Sequence, residues 1–357
     1  MPEIPGARQS ELKGMGSAMT PARTSQSVKN ADLPAQAVRS GTTVRPVALF
    51  VLGMARSGTS ALTRVLSLCG STLPAGMCGA DGNNPRGYWE PRAAIMLNET
   101  ILRRHHSNWY DPTMRLQEDL AFGAGEKAAC IAEIAAYLGT LPAAPLVVIK
   151  EPRITALSEL WFEAARQVGF DVAAVIALRH PQEVIASAAK YVQTSPELSS
   201  ALWLKYNLLA ERHTRGMPRV FVDYANLLDD WHREMKRIAT TLDIDLDTAQ
   251  QSAIEQFLTP DLRRQRYCGP VADHFGSDWI SAVYDVLRGA AQDDPLQVST
   301  LDRVFESYQA GERDFRMAFT DFHTRTHSAV RRVFRPFIVK PILEVAAMVH
   351  RRRGAWA

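Results

Sequence analysis

An apolar run, Val47 to Leu52, leads directly into Gly53-Met54-Ala55-Arg56-Ser57-Gly58-Thr59-Ser60, and this junction constrains the chain more than any other stretch. A buried strand that ends in a glycine turn and opens a helix, here apolar at Leu62, Val65 and Leu66, aims backbone amides and the positive helix end at one point. Such a point holds an anion. Gly53 and Gly58 have the spacing of the nucleotide triphosphatase loop, Gly-x4-Gly-Lys-Ser/Thr. Thr59 stands where that loop carries its lysine, and the cation is Arg56, inside the loop. The expected ligand carries a phosphate and a second charged group near Arg56, and ATP hydrolysis is not expected.

A second apolar run, Val172 to Leu178, is followed by Arg179-His180-Pro181-Gln182-Glu183-Val184-Ile185-Ala186-Ser187. A guanidinium offers forked donors to a phosphate, and a helix start adds amides on the same side. With these two elements the chain resembles the sulfotransferases that use 3'-phosphoadenosine 5'-phosphosulfate (PAPS), of the arginine-loop type related to bacterial, carbohydrate and tyrosylprotein enzymes. Their 5'-phosphosulfate loop reads Arg/Lys-Ser/Thr-Gly-Thr-Ser/Thr after the first strand, matched here by Arg56, Ser57, Gly58, Thr59 and Ser60. An arginine ending a strand and a serine eight residues later grip the 3'-phosphate in that family, and Arg179 and Ser187 match. The alternative for this pair is a surface cation and an ordinary helix serine.

The resemblance covers roughly 47 to 265 and implies PAPS as co-substrate, no metal, and transfer of a sulfuryl group to a hydroxyl or amine. Val147-Val148-Ile149-Lys150-Glu151-Pro152-Arg153 resembles the Lys-Asp/Glu-Pro segment of related members. Lys150 would then point into the crevice at the strand ends and, with Arg56, neutralise charge on the transferring group. A local ion-pair patch of Lys150, Glu151 and Arg153 explains the same residues. Glu90, in the turn-rich Asn83 to Pro91 stretch, is the candidate general base, as a carboxylate desolvated beside Tyr88 and Trp89. Pairing with Arg86 or Arg92 is its alternative. His105 and His106 compete for the same role but fit a helix end as well. Arg56 replaces the lysine common in cytosolic members, so that lysine's role is not carried over. Tyr224-Ala225-Asn226-Leu227 matches a turn whose role in the family is structural, and Asp261 to Arg266 is a basic loop that either closes over the nucleotide or is solvated.

Strands at 47–52, 146–149, 172–178 and 219–223 alternate with helices at 59–69, 92–106, 126–138, 155–168, 182–192, 197–214 and 226–242. This order predicts an α/β fold, a P-loop-type parallel sheet with helices on both faces and a helical C-terminal extension. Residues 1–45 contain no Phe, Trp or Tyr and read as a disordered tail; 46–300 form the sulfotransferase-like domain and 301–357 the extension with a basic end. A net charge of +3 permits anionic ligands without indicating nucleic acid. Four cysteines without Cys-x2-Cys spacing fit a reducing compartment. No signal-peptide core or bilayer-length apolar segment stands in the sequence, so the expectation is a cytoplasmic protein, with peripheral membrane contact through Arg331 to Arg353 set against docking of that end or homo-oligomerisation. The acceptor pocket is expected from 71–125 and 266–300, whose aromatic and arginine content suits a glycan, a lipid head group, a phenol or a peptide, with carbohydrate preferred. A P-loop kinase-like enzyme and a noncatalytic membrane-surface binding protein are the competing classes.

Overall fold

The computed structural model describes residues 45–118, 121–263 and 265–327, with Lys340, Pro341, Val345 and Met348 beyond them. Nearly all of the expected tail at 1–45, and of the basic end at 331–353, lies outside the described residues. Four strands, β1 (Val47–Leu52), β2 (Leu146–Ile149), β3 (Asp171–Leu178) and β4 (Arg219–Asp223), form one parallel sheet in the order β2-β1-β3-β4. Apart from Asp171, Arg219 and Asp223 at strand ends, each is a continuous apolar run because both faces are covered. Ala48, Phe50 and Leu52 enter one core, while Leu49 and Val51 enter the other.

The helices are α1 (Thr59–Leu68), α2 (Arg92–Arg104), α3 (Ala124–Leu138), α4 (Ile154–Gln167), α5 (Pro181–Tyr191), α6 (Pro196–His213), α7 (Tyr224–Asp229), α8 (Trp231–Leu242), α9 (Gln251–Phe257), α10 (Trp279–Ala290) and α11 (Val298–His327). One face of the sheet packs on α1 and α8 through Leu62, Val65, Leu66, Met235 and Ile238. The other carries α4 and α6; Phe50 meets Phe162 edge to face at 5.2 Å, and Trp161 and Trp203 are fully buried. The α/β class and the parallel sheet covered on both faces are therefore the observed architecture.

Strand positions agree with expectation within a residue. The expected helix 226–242 is instead two, because Asp230 breaks it and accepts the Arg233 N–H at 3.0 Å as the cap of α8. Helices α9 and α10 had no counterpart in the sequence expectation. Leu301, Val304, Phe305 and Tyr308 at the start of α11 belong to the main core. In a parallel sheet the strand ends share one edge, and here that edge presents Gly53, Lys150, Arg179 and Tyr224 one residue beyond β1, β2, β3 and β4.

Candidate functional site

The β1–α1 turn demands glycine at both ends. Gly53 has φ +118°, and a Cβ there would lie 2.6 Å from the Ala177 carbonyl oxygen of β3. At Gly58, φ +89°, a Cβ would fall 2.2 Å from the Tyr224 ring. The turn is pinned by the Gly53 N–H donating to Thr155 Oγ1 at 3.1 Å. Helix α1 opens without a capping side chain, so the amides of Thr59, Ser60 and Ala61 have no acceptor within the helix. Ser57 is fully buried and its hydroxyl has no hydrogen-bond partner. A loop of this kind is built to receive oxygen atoms of an anion.

Arg56 lies in the left-handed region, φ 70°, and its side chain crosses to the other motif. Its Nε donates to Ser187 Oγ at 3.0 Å, its Nη2 reaches the Asn83 carbonyl at 3.4 Å, and its guanidinium lies 4.9 Å from the Tyr191 ring centre. The two motifs are thus one structure. Arg179 is buried at the end of β3, donating Nη1 to the Arg56 carbonyl at 3.0 Å, Nη2 to the Gln265 carbonyl at 3.1 Å and Nε to Glu183 at 2.8 Å. It also sits 4.8 Å over the Tyr224 ring. Glu183, 1% exposed, collects Arg179, Arg263 and the Tyr267 amide. Burial raises its carboxyl, but the hydrogen bonds from Arg263 and Arg179 outweigh that and hold it below the usual carboxylate value.

The basic loop at 261–266 is engaged in part, with Asp261 and Arg266 exposed. Arg263 is tied to Glu183 at 2.7 Å, and Leu262 and Gln265 line the cleft; Arg264 lies outside the described residues. This cleft, walled by Gly58, Thr59, Ser60, Arg179, Ser187 and Tyr224 among others, encloses only about 100 Å³ here. Ligand sites of nucleotide size take roughly 300 Å³ or more, and the cleft as it stands is smaller than that. Tyr224, Tyr191, Asn83 and Phe257, which the sequence did not single out as site residues, also line the cleft. For Tyr224 the available signal was its place one residue past β4.

Lys150, 2% exposed, joins the loop to a second, larger cavity of about 630 Å³. Its ammonium donates to Ser60 Oγ at 3.1 Å, to the Tyr88 carbonyl at 3.0 Å and to Glu90 Oε1 at 2.5 Å. Neither Arg86 nor Arg92 pairs with Glu90: Arg86 donates to the Phe257 carbonyl and Arg92 to the Gly76 carbonyl at 3.1 Å. Arg56, Thr59 and Ser60 belong to both cavity walls. The larger one adds Glu90, Glu99, Arg103, Arg153, Trp109 and Tyr110. Arg153 lies 5.1 Å over Trp109 and binds Glu99 at 2.6 Å.

Glu151 is not at the site surface. It is fully buried behind Lys150, accepting from Asn98 at 2.6 Å and Arg153 at 2.5 Å, and burial pushes its carboxyl up to about 7. His105 is also elsewhere, 3.2 Å from Glu126 and against Phe122 at the end of α2, and neither it nor His106 lines either cavity. Of the 266–300 stretch expected to contribute to the acceptor pocket, Tyr267 to Val271, Tyr284, Asp285, Arg288 and Gln292 wall a separate cavity of about 480 Å³ beside Arg263 and Asp223. No group of three or more His, Cys, Asp or Glu side chains is placed to hold a metal among the described residues.

No protein-family model matches this chain, and no curated protein matches it. Among solved structures it is similar to the sulfotransferase domain of the olefin synthase from Synechococcus PCC 7002, at 22% identity and a TM-score of 0.38 over 74% of this chain and 95% of that one. It is also similar to the sulfotransferase STF1 of Mycobacterium tuberculosis H37Rv, at 15% identity and a TM-score of 0.32 over 59% of this chain and 71% of that one. At that identity and overlap neither likeness assigns a residue or a reaction to this protein.

Proposed function

We propose that the protein is a sulfotransferase that moves the sulfuryl group of PAPS to a hydroxyl or amine of a polar acceptor. The observation that carries this reading is the hydrogen bond from Arg56 of the first loop to Ser187 of the second motif, which makes two anion grips into one cleft. A nucleotide with phosphates at two positions matches the donors that line such a cleft. The uncapped amides at Thr59 to Ala61, the buried unpartnered Ser57 hydroxyl and the cations Arg56, Arg179 and Lys150 are the donor set it needs. Against a kinase-like reading, Thr59 at the lysine position is buried, Glu151 faces away from the cleft, and Asp223 caps α7 through the Ala225 N–H.

Bound in this cleft, PAPS supplies a sulfuryl group on a phosphate leaving group. Glu90 takes the proton of the acceptor hydroxyl on its carboxylate oxygen at the boundary of the two cavities. Lys150, between that carboxylate and Ser60, stands where negative charge would gather on the loop side, and Arg56 completes the positive wall. Such preorganised charge and positioning supply most of the acceleration in transfers of this type. The larger cavity holds Glu90, Glu99, Arg153 and four aromatic side chains, and among the described residues its aliphatic lining is Ala55 and Val192. A lining of rings, carboxylates and guanidinium groups favours a polyhydroxylated acceptor, a sugar, over an apolar phenol or sterol.

Calorimetric titration with 3'-phosphoadenosine 5'-phosphate (PAP), AMP and ATP in EDTA tests the cofactor site. Tight binding of PAP alone, weakened in both Arg56→Ala and Arg179→Ala, is the expected result. Preference for ATP, or no nucleotide binding, would overturn the reading.

A further inference from the structure

Two guanidinium groups in the wall of the larger cavity share one of its carboxylates. Arg153 and Arg103 both line that cavity, and they pair with Glu99 at 2.6 and 3.6 Å. Arg153 is held from three sides. Its Nε donates to Glu99 at 2.6 Å, its Nη1 donates to Glu151 at 2.5 Å, and its guanidinium lies 5.1 Å from the Trp109 ring centre. Glu151 is fixed in turn, because Asn98 Nδ2 donates to its second oxygen at 2.6 Å and Trp161 Nε1 donates to Asn98 Oδ1 at 2.8 Å. The Nη2 of Arg153 makes no hydrogen bond among the described residues. Three side chains thus orient a donor that the protein itself does not use. A guanidinium held in this way loses little freedom when a ligand accepts from it.

Charge identifies what would accept. Lys150 and Glu90 offset one another and Arg56 turns to Ser187, which leaves Arg103 and Arg153 against Glu99 in the charge of the cavity wall. Glu151 stands behind Arg153 and outside that wall, and burial pushes its carboxyl up to about 7, so near neutral pH it offsets Arg153 only in part. The Arg103 side chain is 80% exposed, with room for a second oxygen beside its long contact to Glu99. A neutral hydroxyl would use the donors and leave the surplus charge unmatched, whereas an oxyacid matches both.

We propose that Arg153, with Arg103, determines specificity in the larger cavity by taking an acidic group, a carboxylate or a phosphate, carried on the acceptor sugar. Calling that sugar an acceptor rests on the proposed transfer reaction, whereas its binding can be measured without it. Protein with and without saturating PAP is titrated calorimetrically with methyl β-glucoside, methyl β-glucuronide and glucose 6-phosphate, which separate hydroxyls alone from a carboxylate and from a phosphate. One or both acids are expected to bind about tenfold or more tighter than the glucoside. Arg103→Ala, at an exposed position, is expected to weaken the acids about threefold and leave the glucoside unchanged. Arg153→Met combined with Glu151→Gln removes the cation without stranding a buried carboxylate, and is expected to abolish the preference with PAP affinity kept. Acids that bind the wild type no better than the glucoside overturn the proposal. An equal loss for acids and glucoside in the variants also overturns it, because Arg153 would then only support the wall. Absence of PAP binding instead overturns the transfer reaction, and the acid preference is then read in the nucleotide-free titration.

Discussion

Glu90 and Lys150 show how little of a residue's chemistry is fixed by its neighbours in the chain. The two are 60 positions apart and 2.5 Å from one another, at the boundary between an anion-binding loop and a polar cavity. Glu90→Gln keeps an oxygen for the Lys150 ammonium but removes the proton acceptor. Its kcat is expected to fall about a hundred- to ten-thousandfold with PAP affinity nearly unchanged, read by steady-state assay beside calorimetry. A parallel loss of PAP binding would show that the carboxylate supports the loop instead. Glu183 makes a pH prediction. Because the folded carboxyl sits below its ordinary 4.5, the unfolded chain takes up that proton first as acid is added. Its stabilisation is therefore present above about 4.5 and lost as pH falls through the folded value. Thermal unfolding between neutral and acid pH is expected to show a steeper fall for the wild type than for Glu183→Gln, which is already destabilised at neutral pH.

At the scale of elements, one wall of the larger cavity depends on a helix remote from it in sequence. The 106–118 loop, which carries Trp109 and Tyr110, is held by Tyr308 donating to the Pro112 carbonyl at 2.7 Å, by Glu312 at Met114, and by buried Lys205 donating to the Asp111 carbonyl at 2.9 Å. Tyr308→Phe removes one such bond without emptying space. A loss of about 1 kcal/mol in stability is expected, with acceptor KM raised and PAP affinity kept. An unaltered acceptor KM would separate this clasp from substrate binding. The strands and most helices were legible because buried parallel strands are unbroken apolar runs and amphipathic helices repeat every three to four residues. The split between α7 and α8 was not, since Asp230 looks like any polar helix residue until its side chain is seen capping Arg233. Helix α9 was missed because its seven residues give periodicity only two turns in which to declare itself, and the twelve of α10 follow a stretch broken by glycine, proline and aspartate.

For the molecule as a whole, nucleotide binding and stability are linked. PAP at about a hundredfold over its Kd should stabilise the fold by about 2.7 kcal/mol, and the raised Tm should persist in EDTA. The same shift with ATP, or its loss in EDTA, would contradict the cofactor assignment. The sequence by itself determined the parallel sheet, the glycine-framed anion loop and the residues Arg56, Lys150, Arg179 and Ser187 that gather at its edge. Those follow from local pattern: where apolar runs stop, the next residues must lie at the strand ends. Only the tertiary structure decided which side chains meet there. The strand order β2-β1-β3-β4 places the ends of β1 and β3 side by side, so Arg56 reaches Ser187 across 131 residues and Tyr224 packs on Gly58. It also turned Glu90 from Arg86 and Arg92 to Lys150 and set residues from 266–300 on a cavity apart from the one that Glu90 lines. Such pairings are set by the distance between elements after packing, a quantity that no local repeat in a sequence encodes.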